Sequence, residues 1–76
     1  MKLTSGGYLT FYMPERKRSI EIQLNGPTLL KEILTDLHIP FGEVHLVALN
    51  GEHADVETAI IRNTDVVQIF SSVDGG

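Results

Sequence analysis

Val44-His45-Leu46-Val47-Ala48-Leu49-Asn50-Gly51-Glu52-His53-Ala54 reads as two strands about a two-residue turn. Residues 44–49 are nearly all apolar, which predicts a strand with both faces largely covered. Asn50-Gly51 supplies two residues that tolerate positive φ, as required by the hairpin turns whose twist matches their strands. Glu52-His53-Ala54 returns as a short strand. An antiparallel hairpin is therefore fixed in the second half of the chain.

Toward the C-terminus, residues 55–63 are irregular, with Ile60 or Ile61 expected to plug the core. Asn63-Thr64-Asp65 makes a turn. Val66-Val67-Gln68-Ile69-Phe70 is a last strand that points Val67 and Ile69 inward. The chain then becomes small and polar: Ser71-Ser72-Val73-Asp74-Gly75-Gly76. Termini usually place no demand on residue type. A frayed end is the bland reading of residues 71–76. The functional one is a flexible tail that delivers the Gly76 carboxylate into the active site of another protein.

Toward the N-terminus, Leu29, Leu30, Ile33, Leu34 and Leu37 form the apolar stripe of a helix of roughly ten residues. Pro27 or Thr28 suits its start. Ile39 precedes Pro40 and is pushed out of helical geometry, so the helix ends by His38. Residues 8–13 alternate, with Leu9, Phe11 and Met13 on one face and Tyr8, Thr10 and Tyr12 on the other. Residues 19–24 alternate again, with Ile20, Ile22 and Leu24 inward. Pro14 and the charged run Glu15-Arg16-Lys17-Arg18 separate the two, which predicts a second antiparallel hairpin. Residues 1–7 read as a loose leader, with Gly6-Gly7 a flexible spacer.

The order is strand, strand, helix, strand, short strand, strand. It predicts an α+β domain in two layers, one main helix on one face of a mixed sheet of four to five strands. This is the β-grasp, or ubiquitin-like, arrangement, with the first and last strands parallel at the sheet centre. Seventy-six residues suit a single domain spanning 1–76.

Composition narrows the function. The chain has no cysteine, which removes disulfides, thiolate catalysis and Cys-ligated zinc, and fits a reducing cytoplasmic setting. A net charge of −4 lacks the basic footprint of a nucleic-acid binder. No apolar run approaches the ~20 residues of a membrane span. His38, His45 and His53 lack the i, i+4 helix spacing of a metal pair, so no metal site is expected. No catalytic cluster, phosphate-cradling loop or cofactor motif is visible, which argues against a self-contained enzyme. If the alternation holds, Tyr8, Thr10, Tyr12, Val66, Gln68 and Phe70 lie on the sheet face away from the helix. Aromatic residues there suit a partner-docking patch, with Phe70 an apolar anchor beside the tail.

Val47-Ala48-Leu49-Asn50-Gly51-Glu52, then Asp65-Val66-Val67-Gln68-Ile69-Phe70, then Val73-Asp74-Gly75-Gly76 resembles the ubiquitin-like sulfur carriers of the MoaD/ThiS family. The likeness runs from Tyr8 onward. The ending is most similar to the tail of molybdopterin synthase small subunits, F-P-P-V-x-G-G. Ser71 and Ser72 stand where that tail has prolines, which predicts a looser tail. The resemblance implies a carrier that is not itself a catalyst but serves as substrate or small subunit of an enzyme system. An E1-like enzyme of the MoeB or ThiF type would adenylate the carboxylate of Gly76. A sulfur donor would convert the adenylate to a thiocarboxylate, and the sulfur would pass to an acceptor. The large subunit of molybdopterin synthase would then be a partner. A thiamine-pathway carrier, a ubiquitin-like protein modifier and a non-covalent β-grasp binding module are the alternatives.

The residue chemistry fits this cycle. A C-terminal carboxylate is ionised at neutral pH, with a pKa near 3.3–3.7, and is a poor electrophile until joined to a leaving group. Glycine at Gly75 and Gly76 presents no Cβ to crowd a narrow channel. Val73 suits a small apolar pocket that fixes register, and Asp74 suits an arginine of the partner.

Overall fold

The computed structural model describes residues 1–71. In chain order its strands are β1 (Lys2–Gly6), β2 (Ser19–Glu21), β3 (Thr28–Leu29), β4 (Leu46–Leu49), β5 (Glu52–Ala54), β6 (Ile60–Ile61) and β7 (Val66–Phe70). The helix α1 (Leu30–Asp36) lies between β3 and β4. Five strands form one sheet in the order β2-β1-β7-β4-β5, and β3 pairs with β6 in a separate two-stranded ladder. β1 and β7 run parallel at the centre, while β1–β2, β4–β7 and β4–β5 are antiparallel. The expected mixed sheet with one main helix is present.

The first strand is not the expected one. Residues 1–7 are no loose leader: Lys2–Gly6 is hydrogen-bonded on both sides, to β2 and to β7. Of its two inward residues, Leu3 and Ser5, only one is apolar, so its alternation is too weak to read alone. Pairing on both edges supplies what the side chains do not. Residues 8–13, expected as a strand, instead form a 3₁₀ turn, Gly7–Tyr12, entered through Gly7 at φ 65. Leu9 and Met13 are buried as the alternation requires, but Phe11 is 63% exposed. A period of three places Leu9 and Tyr12 on the same side of such a turn, and Phe11, out of that period, is turned to solvent. A second 3₁₀ turn, Pro14–Arg16, leads into β2.

Thr28 and Leu29 pair with Ile61 and Ile60, which delays the helix to Leu30. Leu29 is thereby removed from the predicted stripe and is partly exposed. No side chain caps the start, and Leu30 N–H donates to Ala59 O at 2.9 Å. The end is a Schellman turn: His38 N–H donates to Thr35 O at 3.0 Å and Ile39 N–H to Leu34 O at 2.9 Å. His38 occupies the left-handed position at φ 61.

The core joins Leu3, Val47, Val67 and Ile69 of the sheet to Leu30, Ile33 and Leu34 of α1. Ile61 fills it from β6, whereas Ile60 points out. The Asn50-Gly51 turn is as expected, with φ of 52 and 86. β4 is shorter than predicted and covered on one face only, since Leu46 is 41% exposed. Among the described residues, no helix is long and apolar enough to cross a membrane.

Candidate functional site

The outward face of the sheet is set by register. Lys2, Thr4 and Gly6 of β1 stand beside Val66, Gln68 and Phe70 of β7, and Leu46 and Ala48 of β4 stand opposite Phe70 and Gln68. Val66, Gln68 and Phe70 thus share the face away from the core, as the alternation predicts. Tyr8, Thr10 and Tyr12 do not lie on that face as strand residues. They belong to the 3₁₀ turn Gly7–Tyr12, which continues from the same end of β1. Tyr8 is largely exposed and its hydroxyl donates to Glu43 Oε1 at 2.9 Å. Tyr12 packs partly against the core and meets Phe11 edge to face, with ring centroids 5.7 Å apart.

Leu46 is an exposed apolar member of this face that pattern reading alone misses, because residues 44–49 look uniformly buried. The turn gives the missing signal. With Asn50-Gly51 fixing the hairpin register, Leu46 and Val47 fall on opposite faces, so the burial of Val47 exposes Leu46.

Phe70 and Ser71 are seated rather than loose. Phe70 O accepts His45 N–H at 2.7 Å. Its ring lies over Gly6. Ser71 is 6% exposed, and its Oγ accepts Tyr8 N–H at 3.2 Å. Gly7, in the left-handed region, leaves the space that Ser71 Oγ fills. Gly6-Gly7 is therefore a saddle for the end of β7, not a spacer. The looser tail expected from serine does not apply at Ser71, because its hydroxyl gains an acceptor role that proline lacks. Val73, Asp74, Gly75 and Gly76 lie outside the described residues.

Below this face, Asn50 and Asp65 lock the β4–β5 turn to the start of β7. Val66 N–H donates to Asn50 Oδ1 at 2.9 Å, and Asn50 Nδ2 donates to Asp65 Oδ1 at 3.0 Å. Arg62 N–H donates to Asp65 Oδ2 at 2.7 Å. That backbone bond first, and the Asn50 amide second, hold the Asp65 carboxyl below its ordinary value. Among the described residues, no three His, Cys, Asp or Glu side chains converge as metal ligands would.

A parallel central strand pair in a mixed sheet and one helix across its inner face define a ubiquitin-like β-grasp domain. The model of the ThiS family matches residues 8–76, and the chain belongs to that family, the MoaD/ThiS ubiquitin-like sulfur carriers. Members of the family are small carrier proteins rather than catalysts, and work with E1-like adenylating enzymes. β1 lies ahead of the matched residues. No curated protein matches the chain.

Proposed function

We propose that this carrier is loaded at Gly76 and serves molybdopterin biosynthesis. The observation that carries the reading is the family match, which extends through Val73-Asp74-Gly75-Gly76. The Gly76 carboxylate attacks the α-phosphorus of ATP on an E1-like enzyme, and pyrophosphate leaves. Hydrosulfide supplied by the donor then attacks the acyl carbon and gives up its proton. A C–S bond forms, the C–O bond to AMP breaks, and the product is a thiocarboxylate. The F-x-x-V-x-G-G pattern from Phe70 to Gly76 favours molybdopterin over thiamine as the destination.

The body acts as the handle. The sheet face of Val66, Gln68 and Phe70, extended by Leu46 and flanked by Tyr8 and Tyr12, docks the activating enzyme. Phe70 and Leu46 form the apolar centre that a docking interface needs. Beyond Ser71 the five remaining residues reach at most about 18 Å when extended, enough to enter a recessed site while the sheet stays outside. Val73 fixes register in the channel, Asp74 pairs with a basic group, and Gly75 passes where a side chain would not.

The test is a mass measurement after incubation with MoeB-type and, separately, ThiF-type enzymes, with magnesium ATP and sulfide. Exchange of oxygen for sulfur adds about 16 Da to the ionised terminus. Loading followed by sulfur transfer with a molybdopterin synthase large subunit supports the full reading. Loading with transfer only to a thiamine-pathway acceptor changes the destination. Higher-mass conjugates to lysines of other proteins mark a modifier. No gain with either enzyme type overturns the proposal.

A further inference from the structure

β2 is an outer strand of the sheet. Its pairing decides which backbone groups are used. Ser5 N–H donates to Arg18 O at 2.8 Å, and Ile22 N–H donates to Met1 O at 2.8 Å. Met1 N donates to Ile22 O at 2.7 Å. Residues 18, 20 and 22 thus direct their amides and carbonyls at β1. In an antiparallel ladder the alternate residues, Ser19, Glu21 and Gln23, direct theirs away from the sheet. Leu24 N–H donates to Asn63 Oδ1 at 2.7 Å, so the next even-numbered amide is also taken within the fold.

Two hollows lie along this edge on the helix side. One, of about 490 Å³, is lined by Ile22, Leu24, Ile33, Asp36 and Leu37 among others. The other, also about 490 Å³, is lined by Glu15, Lys17, Ile20, Glu21, Ile22 and Leu37 among others. Ile22 and Leu37 belong to both, so the hollows adjoin along the strand. Ile20, Ile22, Leu24 and Leu37 are only partly buried, so apolar surface remains for an occupant. Arg16-Lys17-Arg18 stands at the head of β2 and holds three of the chain's six lysines and arginines. Lys17 Nζ meets Glu15 at 3.3 Å, a surface contact, and Arg16 stacks on the Phe11 ring at 4.6 Å.

We propose that the outer edge of β2 takes up an extended peptide of a partner protein by strand addition. Two apolar side chains of the peptide, two residues apart, seat in the adjoining hollows. Acidic residues at one end meet Arg16-Lys17-Arg18. Added strands bind through main-chain hydrogen bonds, with alternate side chains giving specificity. Residues two apart on a strand are about 6.8 Å apart, a spacing suited to hollows that share a wall. The cationic run selects an acidic flank. The opposite outer strand, β5, offers a smaller hollow of about 220 Å³, with less room for two apolar side chains. β1 separates β2 from β7, so a peptide on this edge leaves the outward face of β7 and Ser71 uncovered. A partner could therefore hold the carrier here while its other face is engaged, and the second contact becomes intramolecular.

The test titrates the ¹⁵N-labelled full chain with three synthetic peptides. Each has an alternating valine and isoleucine centre; one carries three aspartates before it, one after it, and one carries lysines instead. The expected result is a shift of the Ser19, Glu21 and Gln23 amides with one of the acidic peptides, at a Kd below about 1 mM, and at least tenfold weaker binding of the lysine peptide. Glu21→Pro deletes an outward amide without touching the β1 ladder and abolishes the shifts. The double variant Lys17→Glu, Arg18→Glu weakens the acidic peptide at least tenfold and improves the lysine peptide, a readout that stands if the proline variant does not fold. No shifts with either acidic peptide at about 1 mM, shifts confined to Val66, Gln68 and Phe70, or equal affinity for the lysine peptide each overturn the proposal. In those cases the charges merely guard an edge against aggregation.

Discussion

The ring of Phe70 occupies the space that a side chain on Gly6 would need: a Cβ there would lie 2.6 Å from Phe70 Cδ1. The two residues are register partners across the parallel pair at the sheet centre. Gly6→Ala must push the ring aside, at a cost of about 1–3 kcal/mol for overpacking. Urea denaturation of Gly6→Ala, Phe70→Ala and the double variant measures this. The expected outcome is coupling, with Phe70→Ala costing less in the alanine background than in the parent. Strict additivity would show that the ring does not rest on Gly6.

The N-terminal strand should be indispensable. Leu3 is fully buried between β2 and β7, so Leu3→Ala costs about 2–5 kcal/mol. Stability at this chain length is of order 4–11 kcal/mol, so that single change removes a large share. Deleting residues 1–6 leaves β2 and β7 without their shared neighbour. The expected result is loss of the cooperative thermal transition by circular dichroism. A truncated chain that melts like the parent would restore the leader reading.

Asp65 links stability to pH. Its carboxylate accepts from Arg62 N–H and Asn50 Nδ2, and its folded-state pKa lies below the ordinary 3.8. A depressed carboxyl stabilises the fold above its unfolded-state value, and that contribution disappears as pH falls through the folded value. The stability gap between the parent and Asp65→Ala should therefore be constant near neutrality and close below pH 3.8. Chemical denaturation at stepped pH checks this. A gap that widens on acidification would contradict the assignment.

His38 sits at the left-handed position of the Schellman turn that closes α1. A residue with a Cβ costs about 1–2 kcal/mol there, and glycine does not, though glycine loses more entropy on folding. His38→Gly is expected to stabilise the domain by about 0.5–1 kcal/mol net. A rise in the urea midpoint with unchanged slope is the signature. No change, or a fall, would mean that the imidazole makes a compensating contribution.

Much of this architecture was legible because local chemistry and tertiary packing agree over residues 28–70. Asn50-Gly51 can hardly be anything but a tight turn, and Val67 and Ile69 alternate cleanly because β7 buries one face. The N-terminal third was misread for a definite reason. Lys2–Gly6 owes its strand character to two neighbours far away in sequence, while Tyr8-Leu9-Thr10-Phe11-Tyr12-Met13 carries an alternation of which the 3₁₀ turn buries only Leu9 and Met13. The site was legible in part. Val66, Gln68 and Phe70 follow from the period of two, but the seat of Phe70 and Ser71 on Gly6-Gly7 depends on parallel pairing across more than sixty residues. Nothing local announces that two early glycines are there to receive a late phenylalanine and a late serine.

β7 is the keystone between two pieces that share no ladder of their own: β1 with β2 on one side, β4 with β5 on the other. A ribosome must therefore have released Val66–Phe70 before these halves can join, and pairing over so long a separation slows folding. An unfinished nascent chain presents two unsealed sheet margins to chaperones and proteases. Until Val66–Phe70 is seated, β1 and β4 each leave one ladder edge unpaired.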